Sequence, residues 1–428
     1  MKKNYFIFSL ISIVLLTSVT IFNSSCSKNG GSGDNGTAGT TPISCNNVTS
    51  NTTLPLGVYS IDCALTVTNN ATLTFTAGST IKFTGNGELI TTNGGAINAL
   101  GTAAAPIVFT GIQETQGYWY GIDIFSNSTN NVFKYCKFKC GGKGSRSMVR
   151  VGDGNGQIGR AVFQNCLFTN GLKNGIYIAG DSYLTNNVDN SSNDTLTANH
   201  DYPVSCNLNS VIQLNNTNVY TGNGKDYIYV SDAYQIYTDI HFHALSIPYE
   251  LTATSNNQFD IYGNWVVDPG VTLSMDQNME LYVGSQSGKT GTFNCVGTAA
   301  NRITIKGTQS AQGFWDKIRF ENTNDPRNQI QYCNIQDGGS NADNLWTDPG
   351  MISVVHPFGK SNVTIKNCNF SNSSTYAIYI RTSNGTTGAP NDQIINGLTG
   401  ATYIYNSLKI AGAANNTYTN CTGAIYVL

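Results

Sequence analysis

Charge is scarce in this 428-residue chain. Asp, Glu, Lys and Arg make up only 11% of it, less than half the usual quarter. Net charge is −2 and no run of Lys or Arg stands out. Nucleic-acid binding needs clustered cations against phosphate, so that class is excluded. A sustained 3.6-residue apolar period is also missing, which excludes long helices. Eleven cysteines are present, but they are too scattered for a compact disulfide framework. Polarity comes from Asn, Thr, Ser and Gly instead, with 23 Tyr and 40% hydrophobic residues. That composition points to an extracellular β protein with enough apolar surface for a core.

The first residues point to export. Lys2 and Lys3 form a positive start, Tyr5 to Phe22 is mostly apolar, and Asn23, Ser24 and Ser25 lead into Cys26. This is the pattern of a cleaved signal peptide over 1–25, with no positive stop-transfer cluster behind it. It resembles a lipobox, whose cysteine is acylated after cleavage, although Asn23 stands where an aliphatic residue is usual. A lipid on Cys26 is therefore expected, with plain secretion as the alternative. Residues 26–45 are rich in Gly, Ser, Thr and Asn and cannot bury a core, so a flexible tether is expected there. Its coil span is roughly 25 Å.

Beyond the tether the chain repeats. In 64–83 the pairs Leu65/Val67, Leu73/Phe75 and Ile81/Phe83 each enclose one polar residue, which places both members on one face of a strand. Asn-Asn and Ala-Gly breaks separate the pairs. FKYCKF at 133–138 returns as FQNCLF at 163–168, and IQYCNI at 330–335 as IKNCNF at 365–370. Stacked coils with ladders of like residues are the expected architecture. A larger duplication lies above the coils. QGYW at 116 and GTAAAPIVFTG at 101 return as QGFW at 312 and GTAANRITIKG at 297, both offset by 196. AGSTIKF at 77 answers PGVTLSM at 269, offset by 192. The halves fall at about 46–245 and 246–428, either as two lobes or as one continuous solenoid.

This ordered series of motifs resembles the right-handed parallel β-helix proteins of the pectin-lyase-like superfamily, as found in exported lipoproteins of Bacteroidetes-type bacteria. The resemblance implies an all-β solenoid, internally duplicated. It implies little about function, because that fold hosts lyases, hydrolases and adhesins. Polysaccharide lyases on it use an Arg or Lys base with Ca²⁺ held by carboxylates. No matching Arg stretch is found here. The Asn-Thr-Asp, Asp-Asp, Gly-His-Gly and Arg-Ile-Lys strings of its galacturonan hydrolases do not occur.

Several residues remain candidates for binding. Asp239, His241 and His243 alternate along one strand, with Ile240 and Phe242 on the other face, and could share a divalent metal. The loop 337–348 offers Asp337, Asp343 and Asp348 to calcium, and otherwise no cofactor is expected. Trp346 in that loop could stack on a sugar ring. Trp119 and Trp315 recur at equivalent positions and read as structural. Cys136, Cys166, Cys333 and Cys368 occupy equivalent coil positions and read as a turn ladder. Cys45 and Cys63 flank the first strands and are the expected disulfide. Asp194-Thr195-Leu196 resembles an O-glycosylation signal at Thr195.

The expectation is a non-catalytic lipoprotein of the cell envelope, anchored to the outer membrane, whose β-helix wall binds a glycan or an envelope protein. A polysaccharide lyase or glycoside hydrolase with an unrecognised site is one alternative. A structural subunit of an outer-membrane complex is the other.

Overall fold

Strand alternation sets the building unit. In Ala64–Val67, Thr72–Phe75, Thr80–Phe83 and Glu88–Thr91 the second and fourth residues are buried and the one between them is half-exposed. Each strand thus has one inward row, and the chain turns after it. The computed structural model describes residues 39–232, 235–340, 348–355, 361–381, 394–396 and 416–427. Within them the strands coil into a right-handed parallel β-helix.

Three walls build each coil of the first copy. The first wall runs through Val58–Ile61, Thr80–Phe83, Ile107–Gly111, Cys136–Lys139, Leu167–Thr169 and Thr195–Thr197. The second runs through Ala64–Val67, Glu88–Thr91, Gly121–Ile124, Val149–Val151, Ile176–Ile178, Val204–Cys206 and Ile228–Asp232. The third runs through Thr52–Leu54, Thr72–Phe75, Ala96–Leu100, Val132–Lys134 and Val162–Gln164. Every pairing in these walls is parallel.

Like residues stack in the interior. Phe109, Phe138 and Phe168 share a register and stack at 5.2 and 4.7 Å, and Phe133 lies on Phe163 at 5.1 Å. The Tyr/Asn-Cys motif is a corner. Tyr135, Asn165, Tyr332 and Asn367 have φ between 49 and 56°, a left-handed conformation that asparagine tolerates best. The cysteine after each is buried, and its thiol donates to a carbonyl of the third-wall strand one coil back in the first copy, Ala99 for Cys136 and Phe133 for Cys166. Both duplicated tryptophans are fully buried. Trp119 Nε1 donates to Lys139 O at 2.8 Å and Trp315 Nε1 to Gln336 O at 2.6 Å. Asn131 and Asn328, also buried, each accept from a strand amide one coil back, Ile97 and Phe293.

The two copies form one continuous stack, with a twist in phase. Ile228–Asp232, the last second-wall strand of the first copy, pairs with Tyr249–Ala253 and through it with Thr272–Met275, Ile303–Gly307 and Cys333–Gln336. The last three repeat Thr80–Phe83, Ile107–Gly111 and Cys136–Lys139, which belong to the first wall. The second copy therefore sits on the first turned by one wall. Ladder hydrogen bonds cross the seam along this wall, whereas the sheets of the other two walls end near it, at Thr195–Thr197 and Val162–Gln164, and a new sheet begins at Ile240–Phe242.

At the N-terminal end Thr41–Pro42 pairs with Val58–Ile61, and Cys45 is disulfide-bonded to Cys63 with a Cα–Cα distance of 6.0 Å. The bond closes a loop of 18 residues over the first coil. Cys63→Ser should lower the unfolding free energy by about 3 kcal/mol, read from denaturant unfolding of variant and wild type without reductant.

Candidate functional site

The outward row of the second wall is a strip of aligned side chains. Asp123, Arg150, Tyr177, Ser205, Tyr229 and Glu250 stand opposite one another on successive strands, about 4.8 Å apart. The strip is fixed by strand alternation, since Ile122 and Ile124, or Ile176 and Ile178, must point inward.

Its charges are paired. Arg146 Nη1 lies 2.7 Å from Glu88 Oε1, Arg146 Nη2 also meets Asp123, and Arg150 Nη1 lies 3.3 Å from Asp123 Oδ2. Asp123 is only 2% exposed. Burial pushes its carboxyl up to about 7, while Arg150 and Arg146 pull the other way. Beyond Arg150 the strip turns aromatic. Tyr177 and Tyr229 are half-exposed. The Tyr202 ring stacks on Tyr229 at 4.9 Å, donates its hydroxyl to Glu250 Oε1 at 2.8 Å and accepts from Lys225 Nζ at 2.9 Å. Burial, then the Glu250 carboxylate, push the Tyr202 hydroxyl far above its usual range. The strip therefore offers aromatic faces bordered by fixed hydrogen-bonding groups. Glu250 is engaged by the Tyr202 hydroxyl, while Asp123 meets two arginines and the carboxyl of Glu88.

A second constellation lies at the seam. Ile240–Phe242 pairs with Asn264–Val267, Phe242 opposite Val267. His241 and His243 point outward while Ile240 and Phe242 are buried. The next register step brings Asp268 beside His243. His241 Nε2 lies 2.7 Å from Asp268 Oδ1, and His243 Nδ1 lies 3.1 Å from Asp268 Oδ2. Burial opposes ionisation of Asp268, but the hydrogen bonds from His241 and His243 outweigh it and hold the carboxyl below its usual range. His243 and Asp268 also line a pocket of about 390 Å³, with Thr185, Asn190, Gln213 and Asn215 across from them.

Residues 46–152 match the model of a family described as a pectate-lyase like beta helix domain. The matched stretch covers the early coils of the first copy, up to the strand that carries Arg150. Likeness there concerns the fold. No curated protein and no solved structure matches the chain.

The expected metal trio is corrected in one member. Asp239 does not join the histidines. Its carboxylate accepts from Asn264 N at 2.8 Å and from Asn264 Nδ2 at 2.9 Å, which ties down the start of the next strand. Asp268 takes its place. Nothing in the local pattern marks Asp268, because it meets the histidines only through the parallel register, 25 residues away from His243 in sequence.

The calcium reading finds no support around Asp337 and Asp348. Asp337 sits at a corner with φ 66° and accepts from Asn372 Nδ2 at 2.7 Å. Asp348 is fully buried and faces Arg381 at 3.4 Å and Arg319 at 3.8 Å. Guanidinium groups stand where a cation would, and among the described residues neither aspartate belongs to a group of three ligating side chains. Cys26, Asp343 and Trp346 lie outside the described residues.

Thr195 opens the wall strand Thr195–Thr197 and is half-exposed. Its neighbours in the glycosylation signal are not free. Leu196 is in the core and Asp194 is 2% exposed, accepting from Cys166 N at 2.8 Å. A modifying enzyme would have to read the triplet before this coil closes.

Burial pushes the Asp194 carboxyl from 3.8 up to about 7, against the pull of the Cys166 amide. A carboxyl raised on folding holds its proton more tightly in the folded state. Its contribution is complete below pH 3.8 and is lost as pH rises toward 7. Asp194→Asn keeps an acceptor for the amide and removes the titration. Thermal unfolding from pH 4 to 8 should show the variant gaining on the wild type as pH rises, reaching about 4 kcal/mol at pH 8.

Proposed function

We propose that this protein is a non-catalytic binding scaffold of the cell envelope, held to the outer membrane through a lipid on Cys26, which takes a glycan along the second wall. One observation carries the reading. Tyr177 and Tyr229 stand two strands apart on a straight, outward row, with Arg150 at one end and Glu250 at the other. Aromatic faces about 10 Å apart suit successive apolar faces of an extended saccharide, and the flanking polar groups suit its hydroxyls. The Gly-, Ser- and Thr-rich segment behind Cys26 would hold that wall away from the bilayer.

The rival reading, a lyase or hydrolase, has one observation in its favour. Asp123 has a raised pKa and sits beside two arginines on this wall. Its burial counts against it, because a substrate carbon or glycosidic oxygen cannot reach a carboxyl that is 2% exposed.

Affinity electrophoresis against a panel of neutral and uronate polysaccharides tests the proposal. Binding to at least one of them should weaken about tenfold in Tyr177→Ala and in Tyr229→Ala, roughly 1.4 kcal/mol. Unsaturated or new reducing ends in the same incubations would instead establish the enzyme. In a separate arm, Cys26→Ser should move the protein from the membrane fraction to the soluble fraction and abolish labelling by a fatty-acid probe.

A further inference from the structure

The histidine pair at the seam is not required by the repeat. Phe242 opposes Val267 as Leu54 opposes Phe75 in the first copy. That register sets Thr53 at the place of His241, Pro55 at that of His243 and Thr76 at that of Asp268. The same fold is built in the first copy with residues that cannot form this cluster. Packing does not explain the histidines either, since both side chains point away from the core and are about one-third exposed.

We propose that His241, His243 and Asp268 form a site for a divalent transition-metal ion of the zinc class. His241 Nε2, His243 Nδ1 and an Asp268 carboxylate oxygen lie within 4.8 Å of one another. Two imidazoles and one carboxylate are a ligand set that zinc takes in three-ligand sites. The two histidine rings lie 4.2 Å apart between centroids, so both reach one point from the same strand. Without metal the imidazoles are held on the carboxylate by hydrogen bonds. Metal binding exchanges those two bonds for coordination. Coordination through these atoms leaves Nδ1 of His241 and Nε2 of His243 as the protonated ring nitrogens.

Three protein ligands leave at least one coordination position open. Two of the three line the 390 Å³ pocket, whose wall also includes Thr185, Asn190, Gln213 and Asn215. A water or an oxygen donor of a small polar ligand would complete the shell. The pocket draws residues from both copies, so the site exists only where they are stacked.

The test uses the full chain without a polyhistidine tag, stripped with EDTA and titrated calorimetrically with Zn²⁺ alone. One Zn²⁺ per chain should bind with a Kd at or below about 10 µM. His243→Ala and Asp268→Asn should each weaken it by about tenfold or more, while His200→Ala leaves it unchanged. Circular dichroism establishes that the variants are folded, and Asp268→Asn is nearly isosteric. Absence of wild-type binding below about 1 mM, or wild-type affinity in both His243→Ala and Asp268→Asn, would overturn the proposal.

Discussion

A coil of three short strands can bury its inward row only by lying on another coil. That dependence shapes everything else in the molecule. Parallel pairing satisfies the backbone from coil to coil, and the interior is filled by stacking like on like, phenylalanine over phenylalanine at 5.2 and 4.7 Å. The narrow interior also explains why the chain must turn so often, and why the turns use Asn, Gly and the occasional strained Tyr. Some polar groups that fall inside are tied down, as Asn131 and Asn328 are by strand amides. The scarcity of charge has the same origin. Few positions in a coil suit a charged side chain, and a buried one such as Asp348 faces opposite charge, here Arg381 and Arg319.

Stacking also explains how a duplication could survive. A second copy needs only a compatible ladder beneath it, not a matching wall. Ile228–Asp232 offers parallel hydrogen bonds that Tyr249–Ala253 can accept, although the two strands come from different walls of the ancestral repeat. Every outward residue of the second copy is thereby turned by one wall. Asp123 and Arg319, equivalent by the 196-residue offset, face different sides of the molecule. The seam is where the repeat no longer dictates each position, and the histidine pair and its pocket lie there.

Much of the fold was legible in order along the chain. Leu65/Val67 and Ile81/Phe83 gave the strands, FKYCKF and FQNCLF gave the coil, and the paired motifs gave the duplication. Cys45 and Cys63 could be matched because they bracket the first strands. The site was less legible. His241 and His243 were visible as an alternating pair, since alternation is a local property. Asp239 looked like their partner because it continues the same alternation, yet it binds the next strand. Asp268 was invisible, because its approach depends on how far the chain travels around one coil.

Sequence alone determined the parallel β-helix, because side-chain alternation and turn residues act over a few positions and repeat. It also determined the buried roles of the duplicated tryptophans and cysteines, because only a structural role recurs in both copies. The tertiary structure decided the phase between the copies, the partner of the histidines and the alignment of Tyr177 with Tyr229. Each of these depends on register between strands a whole coil apart. Register is set by loop lengths and stacking together, and no local pattern carries that information.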